Sequence, residues 1–256
     1  MLNGEIPILL VAHLDTVHKE IPKQIFFDKS AKVMWSPQGI GGDDRCGVFA
    51  ILKILEEYEP YILFTTEEET GGKGARKFTN EFLWNLKDEI CFMIEIDRRG
   101  DKQAVFYDCG NDDFINYILD FGFKEEYGSF SDICILSKAY DIASVNLSAG
   151  YYNEHTKEEI IDLNATYNTI NTVKLILADT ENFAFYDYQE VVYNNYYDNI
   201  TKKEKKPKEK KTNGIIQEID EYFIKLEQDY NKLSNAEFKD KYGYAKPSTI
   251  EELYDY

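Results

Sequence analysis

IPILLVAHLDT, residues 6–16, is an apolar run of seven residues that breaks off at His13, with Asp15 two positions further on. An unbroken apolar run of this length reads as a strand buried on both faces. Strands of that kind lie inside parallel sheets, which present their chemistry at the carboxyl ends of the strands. The same arrangement returns along the chain. YILFTT (61–66) runs into EEETGG, CFMIEI (91–96) runs into DRR, and IASVNLS (142–148) precedes YYNEHT.

Helical periodicity fills the intervals. From Asp44 to Tyr58, Val48, Phe49, Ile51, Leu52, Ile54 and Leu55 recur at helical spacing, and Pro60 is a stop signal. A short helix is expected from about Ala75, others over 112–121 and 131–139, and a long one over 157–183. Ser129 or Ser131 would cap the third of these. QAVFY (103–107) reads as a further strand, and QIFFD with KVMWS (24–28 and 32–36) as a hairpin. The alternation predicts an α/β fold, a three-layer α/β/α sandwich over residues 1–183. The hairpin suggests a mixed, mostly parallel central sheet. Residues 184–214, Tyr-rich and then Lys-rich around Pro207, read as an exposed linker. Residues 215–256 read as a helical appendage led by an amphipathic helix over 218–233.

A net charge of -18 argues against a nucleic-acid partner, which would want a basic face. No apolar run approaches the ~18 residues of a membrane span, and no export signal is evident at Met1. Cys46, Cys91, Cys109 and Cys134 show no CxxC pairing, so reduced thiols and a cytoplasmic location are expected.

Two histidines and several carboxylates mark the strand ends: His13, Asp43 in GGDDRCG, Glu67 to Glu69, Asp97 and His155. Imidazole and carboxylate donors on separate strands suit a catalytic zinc site with an open position. Two dications need an anion between them, which a shared carboxylate supplies. Taken singly each group has a plainer use, as a core histidine, a helix cap, an acidic turn or a surface ion pair. His18 has no matching block and reads as a loop residue.

HLDT, GGDDRCG, EEETGGKGA, EID and NEHT, in this order over residues 6–178, resemble the signature blocks of the di-zinc exopeptidases, a superfamily of aminopeptidases, peptidase T, carboxypeptidase G and aminoacylases. The resemblance implies that Asp43 bridges two divalent ions, zinc or else cobalt or manganese. It places His13 and Asp97 on one ion and Glu69 and His155 on the other. Because Glu69-Thr70-Gly71 fits the family pattern, Glu68 would be the general base that takes a proton from the attacking water. Asp15 would orient His13. A cis peptide is expected after the bridging aspartate, here Asp43-Asp44. Arg98 or Arg99 could grip a substrate carboxylate, and Ser131, Asp132, Tyr151 and Tyr152 could shape the pocket.

Many relatives insert a lid domain between the fourth and fifth blocks or a β-domain between the first and second. The spacing here leaves room for neither, so the chain is most similar to the compact single-domain aminopeptidases. The implied activity is hydrolysis of a terminal amide bond in a small peptide, as an aminopeptidase or a di- or tripeptidase. An N-acyl-amino-acid deacylase or a carboxypeptidase is the alternative on the same site. An inactive peptidase-like scaffold is the alternative of another class. Oligomeric state is left open.

Overall fold

The computed structural model describes residues 1–82, 86–191 and 232–242. Its central sheet has six strands in the order β4-β1-β5-β8-β6-β7. These are β1 (Ile6–His13), β4 (Pro60–Thr65), β5 (Phe92–Arg98), β6 (Gln103–Val105), β7 (Lys124–Glu125) and β8 (Ser144–Ser148). All neighbours run parallel except β6 and β8. The sheet is therefore mixed and mostly parallel, as expected, but through β6. The hairpin β2 (Phe26–Asp28) and β3 (Val33–Trp35) joins β10 (Ile160–Asp162) and β9 (Tyr151–Tyr152) in a second, antiparallel sheet.

Alternation along β1 shows why helices cover both faces of the large sheet. Ile8, Leu10 and Ala12 enter one apolar cluster, with α1 (Gly42–Ile54), α3 (Asp112–Leu119) and α5 (Leu163–Ala178). Leu9 and Val11 enter the other, with α2 (Lys73–Glu81) and α4 (Ile133–Tyr140). Successive strand residues point to opposite faces, so a run apolar at every position needs cover on both sides. Cys46, Cys91, Cys109 and Cys134 are free thiols. Among the described residues no helix is long and apolar enough to cross a membrane.

Three expectations move. The long helix begins at Leu163, because Ile160–Asp162 pairs with Val33–Trp35 and Asp162 then caps the helix through the amides of Asn164 and Ala165. Neither Ser129 nor Ser131 caps α4; Asp132 holds that position without a side-chain cap bond, and Ser131 bonds Glu95 instead. The first compact unit runs to Val192, beyond the expected boundary at 183. There the Tyr186 ring packs at a tilt against Phe114, with centroids 5.3 Å apart, and its backbone bonds Cys91 and Ala143. Phe183, Tyr186 and Tyr188 are partly buried and pack against the core, which their polar neighbours concealed.

The second unit spans Tyr193–Tyr256. Its described part holds α6 (Asn235–Tyr242), where Ser234 and Glu237 bond each other's amides in a capping box. The remaining expected linker and nearly all of the expected helix over 218–233 lie outside the described residues.

Candidate metal centre

Parallel strands bring the predicted residues to one edge. β1 ends on His13, in register with Thr65 at the end of β4, and β5 carries Asp97 next to its last residue. Beyond β4, Glu67 takes the left-handed region (φ 58), and a single 3-10 turn follows over Glu68–Thr70. Gly71 and Gly72, also with positive φ, close that turn. Asp43 heads α1, where its own backbone is not helical and the Asp43-Asp44 peptide is cis. His155 lies between β9 and β10 with φ 62, a conformation uncommon outside glycine and concentrated at functional sites.

Asp43 stands between two groups of donors. One carboxylate oxygen lies 3.0 Å from His13 Nε2, which is 3.5 Å from an Asp97 oxygen. The other lies 3.1 Å from His155 Nε2, which is 3.0 Å from Glu69 Oε2. Each imidazole nitrogen thus faces two carboxylates, although a single N–H serves only one well. Donors bound tetrahedrally at ~2.0–2.1 Å sit about 3.3 Å apart, close to these spacings. His13 Nδ1 and Glu69 Oε1 are buried without a hydrogen-bond partner. The donor set fits bound metal better than it fits a set of ion pairs.

Electrostatics agree. Burial, then the like charge of Asp97, pushes the Glu68 carboxyl up to about 8. Burial, then Asp43, pushes Asp97 up to about 7. Burial opposes protonation of His13, but Asp43 and Asp97 outweigh it and hold the imidazole well above its usual range. Asp43 and Glu69 raise the half-exposed His155 to about 10. Burial would raise Asp43, but His13 and His155 hold it well below the usual carboxylate range. Protons here stand in for the positive charge that the carboxylates demand.

Several residues hold these groups in place. Asp15 approaches His13 Nδ1 at 3.4 Å and also accepts the amides of Glu68 and Glu69, tying the first block to the third. The Tyr151 hydroxyl donates to Asp97 at 3.1 Å, and Asn146 accepts the Asp97 amide. Asp44 is fully buried with both oxygens taken, by the amides of His13 and Gly47. His13, Asp44 and Asp97 also cluster as possible donors, but those amide bonds commit Asp44 to the backbone. A Cβ on Gly47 would come within 2.0 Å of the Ile96 carbonyl and 2.5 Å of Asp44. Gly47→Ala is therefore expected to cost about 2 kcal/mol or more, a fall in Tm of roughly 5 °C by thermal melting.

The weaker predictions land elsewhere. Arg98 donates to the Tyr127 carbonyl and Arg99 to Glu154, so both guanidinium groups already have protein partners. Ser131 and Asp132 are fully buried, beneath the accessible surface. Glu95, Asn146 and Glu159, all buried around the site, were not anticipated. Only Glu159 had a signal in the sequence, its place four residues after His155.

No family model and no curated relative matches the sequence. Solved structures do match. A tripeptidase from Staphylococcus aureus aligns with TM-score 0.54 and 15% identity over 70% of this chain and 83% of that one. The aminopeptidase PepT from Bacillus cereus aligns with TM-score 0.57 and 13% identity over 69% and 82%. The fold is that of these two peptidases. In this chain β6 to β9, with α3 and α4, occupy the stretch between Asp97 and His155.

Proposed function

We propose that this chain is a metal-dependent exopeptidase that hydrolyses the terminal amide bond of small peptides, as an aminopeptidase or a di- or tripeptidase. The observation that carries the reading is Asp43, one oxygen turned to His13 and the other to His155. His13, Asp43 and Asp97 would hold one divalent cation, and Asp43, Glu69 and His155 a second, with zinc favoured over cobalt or manganese by the nitrogen and oxygen donors. When bound, such a pair polarises the scissile carbonyl and makes water nucleophilic at neutral pH. Glu68 takes the proton from that water and returns it to the leaving amine. Asp15 holds the Glu68 amide and so sets where this carboxylate points.

Beside His155 an open cleft of about 510 Å³ is lined by Val17, His18, Lys19 and Gln38, among others. That is within the usual range for a small-molecule site. Arg98 and Arg99 are engaged by the Tyr127 carbonyl and Glu154, so neither is free to grip a substrate carboxylate. The lack of a free clamp in this arginine pair favours an aminopeptidase over a deacylase or a carboxypeptidase.

The test is metal content after dialysis, followed by hydrolysis of leucine and alanine amides. A pH series adds a sign. Glu68 and Asp97 titrate at about 8 and about 7 in the folded metal-free protein, above ordinary carboxylates near 4. Raised carboxyls favour folding while protonated, and that contribution fades as pH climbs from about 4 to 8. The raised His13 and His155 contribute fully below about 6.5 and lose their contribution at higher pH. Metal-free protein should therefore weaken from pH 5 to 9, and the gain in Tm from zinc should grow over the same span. Roughly 10 °C is expected at pH 8 with zinc at ~1,000 times its Kd. A dialysed protein with no bound metal, no zinc-induced rise in Tm and no hydrolysis would refute the proposal.

A further inference from the structure

Glu159 is fully buried yet belongs to neither donor group. It stands four residues after His155, just before β10, and it reaches the loop that presents Asp43. Its Oε1 accepts the Asp43 amide at 3.0 Å, and its Oε2 accepts the Gly41 amide at 2.7 Å. The same Oε2 faces His18 Nε2 at 2.9 Å. His18 lies five residues beyond His13. One carboxylate therefore joins three segments, each carrying a residue of the metal centre.

A carboxylate this deep persists only through its donors, and removing one leaves a buried charge short of a partner. The surroundings are tight as well. The His18 ring sits over Gly39, whose φ is 85 and where a Cβ would come within 2.1 Å of the imidazole. At Gly42 a Cβ would come within 2.7 Å of the Tyr151 Cβ. The loop over 39–43 is thus shaped by glycines around the two side chains.

We infer that Glu159 and His18 form a clasp that fixes Asp43 between the two halves of the metal centre, acting as positioning residues. Asp43 must turn its oxygens to His13 at 3.0 Å and to His155 at 3.1 Å. Rotation of its backbone would forfeit one of them. Glu159 anchors the Asp43 amide, and His18 supplies the donor that keeps Glu159 turned toward it. The inference rests on the two-cation reading of the site.

The test pairs His18→Leu with His18→Gln, whose amide nitrogen can donate as the imidazole does. Amide exchange at Gly41 and Asp43 is followed by NMR in metal-free protein, and stepwise affinity by titration with cobalt(II) alone. His18→Leu should speed exchange at both amides and weaken the second cobalt about 10- to 100-fold. His18→Gln should return both readouts toward wild type. Unchanged exchange and unchanged affinity in His18→Leu would overturn the clasp. So would equal loss in both variants, which would mean that packing on Gly39 holds the loop. If wild-type protein takes up no cobalt, the two-cation reading fails, and the exchange measurement still decides whether His18 and Glu159 hold Asp43.

Discussion

Glu68→Gln is expected to lower kcat for leucine amide by about 10²- to 10⁴-fold, with both equivalents of cation retained. Glutamine keeps the size of the side chain and loses only the ability to take up a proton. Glu68 lies next to the donor Glu69 in the 3-10 turn but makes none of the close approaches that Glu69 makes to His155. Its carboxyl, raised to about 8 by burial and Asp97, has the proton affinity near neutral pH that a general base needs, and unlike Asp97 it makes no close approach to a histidine. KM should change little, since the proton moves only as the water attacks. Metal analysis beside the kinetics decides the assignment. Loss of a cation in Glu68→Gln would mean that Glu68 and Glu69 exchange roles.

Asp43→Ala should be more severe, removing both cations at once. Each half of the site relies on one of its oxygens, so neither half keeps its full donor set. Hydrolysis is expected to fall to background, and the zinc-induced rise in Tm to disappear. His155→Ala is the contrast, because it strips one half and leaves the His13 and Asp97 pair intact. Metal analysis of the two variants side by side should give no bound cation for the first and one for the second. Two equivalents retained in Asp43→Ala would refute the shared carboxylate.

Much of the candidate site's convergence was readable because its residues follow strands that announce themselves. His13 and Asp97 close apolar runs, and the parallel sheet carries both to one edge. Glu69 was separable from its two neighbours only through Gly71, which the turn requires at φ 91. His18 was read as a loop residue because nothing local marks it; its partner is 141 positions away. Glu95 and Asn146 sat unnoticed inside apolar strands, since a buried polar residue shows its purpose only through the residue across the sheet. Arg98 and Arg99 looked free for a substrate because Tyr127 and Glu154 are brought to them by folding.

By itself the chain determined its alternation of strand and helix, its mostly parallel sheet, and which side chains close each strand. Those follow from periodicity, a local property that neighbouring residues express together. Tertiary structure alone decided that the hairpin leaves the central sheet, that Tyr186 packs against the core, and that Asp43 is gripped from behind by Glu159. Such outcomes depend on which distant surfaces meet and which buried charges find donors, and one-dimensional order does not encode distances through space.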